Sequence, residues 1–248
     1  MSSPELKGRT AVITGASRGI GAGLAESFAG HGMRLGLCSR SAPVLPGGDD
    51  VVSRIVDVRD EAGMQRFTDE VVERFGAIDL WINNAGVLAP IAPLRDIELE
   101  AFREHIDINL SGVFLGSRCY VRHVRSHEGP GVLINVSSGA AWGGYAGWSA
   151  YCAGKAGVAL MTQCIALEEA SAGLRAHAVA PGVVDTDMQA MIRSSSAEDF
   201  PSLERFLELK RDDGFNSIGF VASFILALAF DLEQQTDEVD IRVPNEKE

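Results

Sequence analysis

Thr14-Gly15-Ala16-Ser17-Arg18-Gly19-Ile20-Gly21 stands where a short β-type run, Thr10 to Thr14, hands over to a helical run, Ile20 to His31. Glycines permit a tight turn and close approach of backbone to a ligand, and the free N–H groups of a helix start attract phosphate. Strand, glycine turn and helix in that order open a parallel sheet, and the rest of the chain keeps the rhythm. Leu35 to Cys38, Val52 to Val56, Ile78 to Ile82, Gly131 to Val136, Leu174 to Val179 and a segment near Glu238 to Val243 read as further strands. Helical stretches fall at Glu61 to Phe75, ended by Gly76, then at Glu98 to Arg125, Ala150 to Ala172 and about Ile218 to Ala229. Ser41 to Asp50 holds Pro43, Pro46, Gly47 and Gly48, so the crossover there is expected to lack its helix. The expected fold is α/β: a doubly wound parallel sheet of about seven strands with helices on both faces, with all 248 residues in a single domain.

Composition narrows the partners. An apolar share of 46 % supports a large core, and 22 basic against 34 acidic residues leave a net charge of −12. That balance speaks against nucleic acid or an anionic membrane as the partner, while leaving room for a local basic pocket. Cys38, Cys119, Cys152 and Cys164 show neither C-x-x-C nor metal-ligand spacing, so no metal site is expected and reduced thiols are. Glu5, Lys7 and Arg9 precede the first apolar run, unlike a signal peptide, and Phe220 to Phe230 is too short to span a bilayer. A cytoplasmic protein is expected.

Tyr151 and Lys155 lie four residues apart in Ser149-Ala150-Tyr151-Cys152-Ala153-Gly154-Lys155, one turn along the same face if the stretch is helical. A phenol titrates near ~10 and is a poor proton carrier at neutral pH. A fixed ammonium nearby favours the phenolate and lowers that value toward the working range.

These pieces together resemble the short-chain dehydrogenase/reductase family, a Rossmann-type fold. The resemblance rests on T-G-x-x-x-G-x-G at the first turn, Asn83-Asn84-Ala85-Gly86 after the fourth strand, Tyr151-x-x-x-Lys155, and Pro181-Gly182 after the sixth strand, and it covers Leu6 to about Met188. It implies a catalytic serine thirteen residues before the tyrosine, which is Ser138, and an asparagine in the helix after N-N-A-G, which is Asn109. In the implied chemistry Tyr151 exchanges a proton with the substrate oxygen while hydride moves to or from a nicotinamide. Ser138 hydrogen-bonds that oxygen, Lys155 lowers the Tyr151 pKa and binds the nicotinamide ribose, and Asn109 positions a proton-relaying water. The resemblance places the cofactor against Gly15, Ser17, Arg18, Gly19, Ile20 and Gly21, Asn84, Ala85 and Gly86, and Tyr151 and Lys155. Asp57-Val58 resembles the family's adenine-binding pair. An acid at the end of the second strand would accept the ribose hydroxyls of NAD; this chain has Ser39-Arg40 there, and Arg40 with Arg18 suits a 2′-phosphate, hence NADP(H).

Longer stretches resemble one branch of the family. Gly147 to Ala156 is similar to the active-site helix of sepiapterin reductases, and Ala180 to Gln189 to their cofactor-covering loop, implying contacts from Pro181, Gly182, Val184, Thr186 and Met188. Ile192 to Ser196 and Phe206 to Lys210 resemble bacterial benzil reductases. That branch implies reduction of a vicinal dicarbonyl, either a benzil-type diketone or a pterin side chain. Substrate contacts are then expected from Ser138, Gly139, Gly182 and Trp148, and from Asp240 at the place of the carboxylate that holds the pterin. Trp142, Tyr145 and Trp148 either wall the substrate or pack their own loop. The polar stretch 183–217 is expected to form a lid between a core of 6–182 and a C-terminal helix and strand in 218–248. Glu98–Arg125 and Ala150–Ala172 resemble the helices that pair subunits in this family, so a homodimer or homotetramer is expected. The competing reading is a sensor that binds NADP(H) with little turnover, or a family member with an unrelated alcohol or ketone substrate.

Overall fold

The computed structural model describes residues 5–127 and 129–247. Among these residues seven strands form one parallel sheet: β1 (Thr10–Thr14), β2 (Arg34–Ser39), β3 (Val51–Ile55), β4 (Leu80–Asn83), β5 (Gly131–Val136), β6 (Leu174–Ala180) and β7 (Asp240–Arg242). Their order is β3-β2-β1-β4-β5-β6-β7. The chain leaves β1 in one direction and returns to its other side at β4, so the crevice between the carboxyl ends of β1 and β4 is a topological switch point, where ligands of open α/β sheets bind.

Alternate residues of each strand feed opposite faces, as a two-residue period demands. Ile13, Leu35, Ile82, Ile134 and Val179 pack under α1 (Gly19–Gly30) and α8 (Ile218–Phe230), which contribute Leu24, Phe28, Val221 and Ile225. Val12, Trp81 and Leu133 point the other way, under α2 (Glu61–Phe75) and α4 (Gly112–Ser126), against Phe67, Val71, Tyr120 and Val124. The helix starts have local causes: Asp60 caps α2 by accepting from the Gly63 N–H at 3.0 Å, and Ser217 caps α8 by accepting from Phe220 at 3.1 Å. As its prolines and glycines require, the stretch after β2 forms no helix. It folds back on the glycine turn, where the Val44 N–H donates to the Ala16 carbonyl at 2.9 Å.

One expectation changes, and two other segments gain detail. The long helix after β4 is interrupted: α3 (Leu99–Ile106) passes into a π-helical turn, Asp107–Ser111, before α4 begins. A π turn is a one-residue widening of the ladder, which hydrophobic periodicity does not encode. The stretch 183–217 contains two short helices, α6 (Asp187–Arg193) and α7 (Leu203–Arg211). The helix α5 (Ser149–Glu169), with its 3-10 extension to Ala172, is long and apolar enough by composition to cross a bilayer, at mean hydropathy 1.2. It instead packs along β5 and β6 and buries Lys155 and Thr162, as an inner helix of the sheet does.

Candidate active site

The glycine turn after β1 is shaped by its neighbours. Gly15 has φ +70°, and a Cβ there would lie 2.7 Å from the Ala85 Cα, a distance no side chain tolerates. A Cβ on Gly21 would run into the Asn84 amide and lie 2.5 Å from the Gly15 carbonyl. The Thr14 hydroxyl accepts from the Asn84 and Ala85 N–H groups, each at 3.1 Å, and Asn84 Nδ2 donates to the Thr14 carbonyl at 2.9 Å. N-N-A-G is therefore the partner that holds the turn beside the carboxyl end of β4, with Gly86 turned toward Asn109 Oδ1.

Arg18, at the N-cap of α1, supplies no capping side chain, so the first N–H groups of that helix are free for an anion. Ser17 and Ile20 flank it half-buried. The Arg18 guanidinium lies in solvent, 3.1 Å from Asp187 at the start of α6. Ser39 is buried, its hydroxyl donating to the Ser41 carbonyl at 2.5 Å, and Arg40 next to it is exposed. Asp57 is gripped by Arg59 at 2.7 Å, which with Arg40 holds its carboxyl below the usual range against a smaller opposing effect of burial. Val58 is buried, and Gly112 leaves it room. An uncapped helix start and a turn no Cβ can enter fit the pyrophosphate of a dinucleotide.

The reacting groups converge at the carboxyl end of β5. Tyr151 and Lys155 share one face of α5, and both are buried. Ser138 follows β5, with its hydroxyl accepting from the Ala140 N–H at 3.2 Å. Lys155 Nζ donates to the Val136 carbonyl at 2.7 Å and lies 5.8 Å from the Tyr151 ring centre. The pKa expectation for Tyr151 is corrected here: burial raises it above 10, Ser138 pulls it down and Cys152 pushes it up, and Lys155 is not among the causes. The lysine is occupied by a carbonyl and itself suffers desolvation, which brings its pKa to about 8.

Asn109 sits in the π turn, completely buried. Its Oδ1 accepts from the Val87 N–H at 2.8 Å and its Nδ2 donates to the Val87 carbonyl at 2.7 Å, so its side chain is spent on the Val87 backbone and, beside it, the His105 ring. Any water it orients must be held by main-chain atoms.

Two expected substrate contacts are engaged by the protein's own side chains. Trp148 is 4 % exposed: Phe200 stacks on it at 4.4 Å, with Tyr145, Tyr151 and Phe206 within 5.5 Å. It joins α5 to the segment 183–217 and presents no open wall, and Trp142 lies under the Arg242 guanidinium at 4.5 Å. Asp240 accepts from Gln163 Nε2 at 2.6 Å. Gln163 is twelve residues along α5 from Tyr151, or about 18 Å at helical rise, so Asp240 does not reach the reacting end. Gly139 is exposed with open space where a Cβ would stand, and Gly182, at φ +75°, follows Pro181 at the end of β6. Val184 is buried, Met188 packs on the aromatic cluster, and the Thr186 methyl would lie 3.5 Å from a Cβ on Gly19.

Sequence reasoning missed three supports. His105 bonds Asn109. Asn216 donates to the Pro181 and Pro244 carbonyls at 3.1 and 3.0 Å, tying both ends of 183–217 to the end of β7. Beneath the site, Asn83 donates to Asn135 at 2.8 Å and accepts from the Trp81 indole at 2.8 Å, and Asn135 donates to Thr162 at 2.9 Å. Polar residues inside otherwise apolar strands were the available signal for that network.

The profile of the short chain dehydrogenase family matches residues 9–197. The chain belongs to the short-chain dehydrogenase family. It is 34 % identical over 232 residues to a benzil reductase ((S)-benzoin forming) of Bacillus subtilis (strain 168), covering 91 % of this chain and 94 % of that one. It is 35 % identical over 227 residues to a cis-4-hydroxycyclohexanecarboxylate dehydrogenase of Sinomonas cyclohexanicum, covering 87 % and 89 %. Among solved structures, that of levodione reductase superposes with a TM-score of 0.84 at 26 % identity, covering 96 % of each chain. The chain is accordingly an oxidoreductase with a nicotinamide cofactor, in a benzil reductase-like branch of its family.

Proposed function

We propose that the protein is an NADPH-dependent carbonyl reductase acting on a vicinal dicarbonyl of the benzil type. The observation that carries the reading is the convergence of Ser138, Tyr151 and Lys155 at the carboxyl end of β5, where burial disfavours the Tyr151 phenolate and leaves a phenol able to donate its proton. The likeness to the benzil reductase supports the substrate class. NADPH, when bound, supplies a hydride to the carbonyl carbon. Ser138 donates a hydrogen bond to the carbonyl oxygen and fixes it, and the Tyr151 O–H gives that oxygen its proton, turning C=O into CH–OH. Lys155, 5.8 Å from the Tyr151 ring centre, would hold the nicotinamide ribose, and its charge favours the phenolate left on Tyr151, which is re-protonated from water held by the Asn109 main chain. Arg18 and Arg40 take the 2′-phosphate, and the uncapped start of α1 takes the pyrophosphate.

Residues 6–182 form the cofactor and catalytic core, 183–217 the lid, and 218–248 the closing helix and strand. Phe114 on α4 and Leu160 and Leu167 on α5, at 46, 62 and 84 % exposure, make the face through which copies pair into a dimer or tetramer, which sedimentation reads directly. Free thiols throughout and net negative charge fit a cytoplasmic protein with no nucleic-acid or membrane partner.

The test follows NADPH absorbance with benzil, sepiapterin and a 3-oxoacyl thioester side by side. Oxidation with benzil is expected, and Tyr151→Phe should lose about 10²–10⁴-fold in kcat while still binding NADPH. Tight NADPH binding without turnover of any of the three would favour the sensor or an unrelated substrate.

A further inference from the structure

We propose that His105 is a positioning residue that locks the amide of Asn109, and with it the turn of chain on which proton relay in this reductase depends. The inference rests on the reading of Asn109, Ser138, Tyr151 and Lys155 given above. His105 lies in the last turn of α3, four residues before Asn109, and is 1 % exposed. Its Nδ1 is 2.7 Å from the Ala89 carbonyl, which can only accept, so Nδ1 carries the proton. Nε2 is then unprotonated, and Asn109 Nδ2 stands 2.6 Å from it and 3.4 Å from Nδ1, approaching the ring from its side rather than along the lone pair.

The second Nδ2 hydrogen goes to the Val87 carbonyl, and Oδ1 takes the Val87 N–H. With the amide turned over, oxygen would face both the unprotonated Nε2 and the Val87 carbonyl, and NH2 would face an N–H. The network has one assignment, and it requires a neutral imidazole, because a proton on Nε2 would set two donors against each other.

The surroundings enforce neutrality. The ionisable groups facing the ring are Tyr151, edge-on with ring centres 6.0 Å apart, and the Lys155 ammonium, both from α5; the loop after β4 presents only its carbonyl. Burial and that ammonium both disfavour a second cation, and burial is the larger effect. A Cβ on Gly154 would lie 3.5 Å from Nε2, so the ring rests directly against the α5 backbone. One imidazole thereby touches the relay residue, the loop after β4 and the helix that carries the acid.

The test has one arm that needs no turnover. Long-range 1H–15N NMR of the five histidines, with His105 assigned by loss of its signal in His105→Gln or His105→Leu, should show an Nδ1–H ring still neutral at about pH 6. An Nε2–H tautomer, or a charged ring at that pH, would overturn the proposal. The second arm compares the variants on whichever carbonyl the wild type reduces. His105→Leu should lose about tenfold or more in kcat with KM and NADPH affinity little changed. His105→Gln, whose Oε1 is unprotonated like Nε2, should recover kcat to within about threefold of wild type. Equal loss in both variants, or a change confined to KM, counts against positioning. A wild type inactive with every carbonyl refutes the reductase reading and leaves the NMR arm to decide His105.

Discussion

Arg40 follows β2 with its side chain in solvent, at the position where many dinucleotide-binding chains carry an acid that selects NAD. Its charge is felt by Asp57 across the β3 end. Arg40→Asp removes a guanidinium from the 2′-phosphate and puts a carboxylate in its place. A charged hydrogen bond is worth about 1.5–3 kcal/mol, so kcat/KM with NADPH should fall about 10–100-fold while NADH improves. Unchanged discrimination between the two cofactors would show that Arg40 is only a surface charge. Arg18 is the less clean probe, because its substitution also breaks the pair with Asp187.

The elements meet most consequentially at Trp148, where the segment 183–217 docks on α5. Phe200 is completely buried and stacks on the indole, and Phe206 and Ile192 complete the cluster. Asp185 draws α6 and α7 together through Arg193 at 2.9 Å and Lys210 at 2.5 Å, while Asn216 pins both ends of the segment. The segment is thus held by an aromatic plug between fixed ends. Phe200→Ala should cost about 3–5 kcal/mol of local stability, freeing the segment while the sheet persists. In limited proteolysis, cuts in 183–217 should accelerate in the variant and be suppressed by NADPH in the wild type. Equal cutting of wild type and variant, or no effect of NADPH, would show that the plug does not hold a lid.

For the molecule as a whole, pH acts through buried histidines. His105, His123 and His177 are nearly inaccessible, and burial is the first cause holding each below 6.5. As pH falls through 6.5 the unfolded chain takes up these protons and the folded chain does not, so stability is full above 6.5 and falls as acid is added. Each can contribute up to about 1.4 kcal/mol per pH unit until its folded form also protonates. Asp57, Asp185 and Asp213, held below 3.8 by paired cations, lose their contribution only in stronger acid. The urea midpoint should therefore drop between pH 7.5 and 5.5 with an unchanged slope, and a level midpoint would mean that these imidazoles charge freely in the fold.

The strand and helix order, the missing helix after β2, the glycine turn and the Tyr151–Lys155 pair were legible from the chain alone. Each rests on short-range chemistry: a period of two or 3.6 residues, the proline and glycine breaks of residues 41–50, or a four-residue step on one helix. What the tertiary structure alone decided depends on partners far away in sequence. Tyr151 rises in pKa because burial outweighs the lowering by Ser138, and Trp148 turns inward because Phe200 arrives from fifty-two residues on. Asp240 is drawn to Gln163 rather than to a substrate, and His105 gains its meaning only when the loop after β4 brings Ala89 to its Nδ1. Burial, hydrogen-bond pairing and charge spacing are set by which surfaces meet, and a linear pattern does not contain that information.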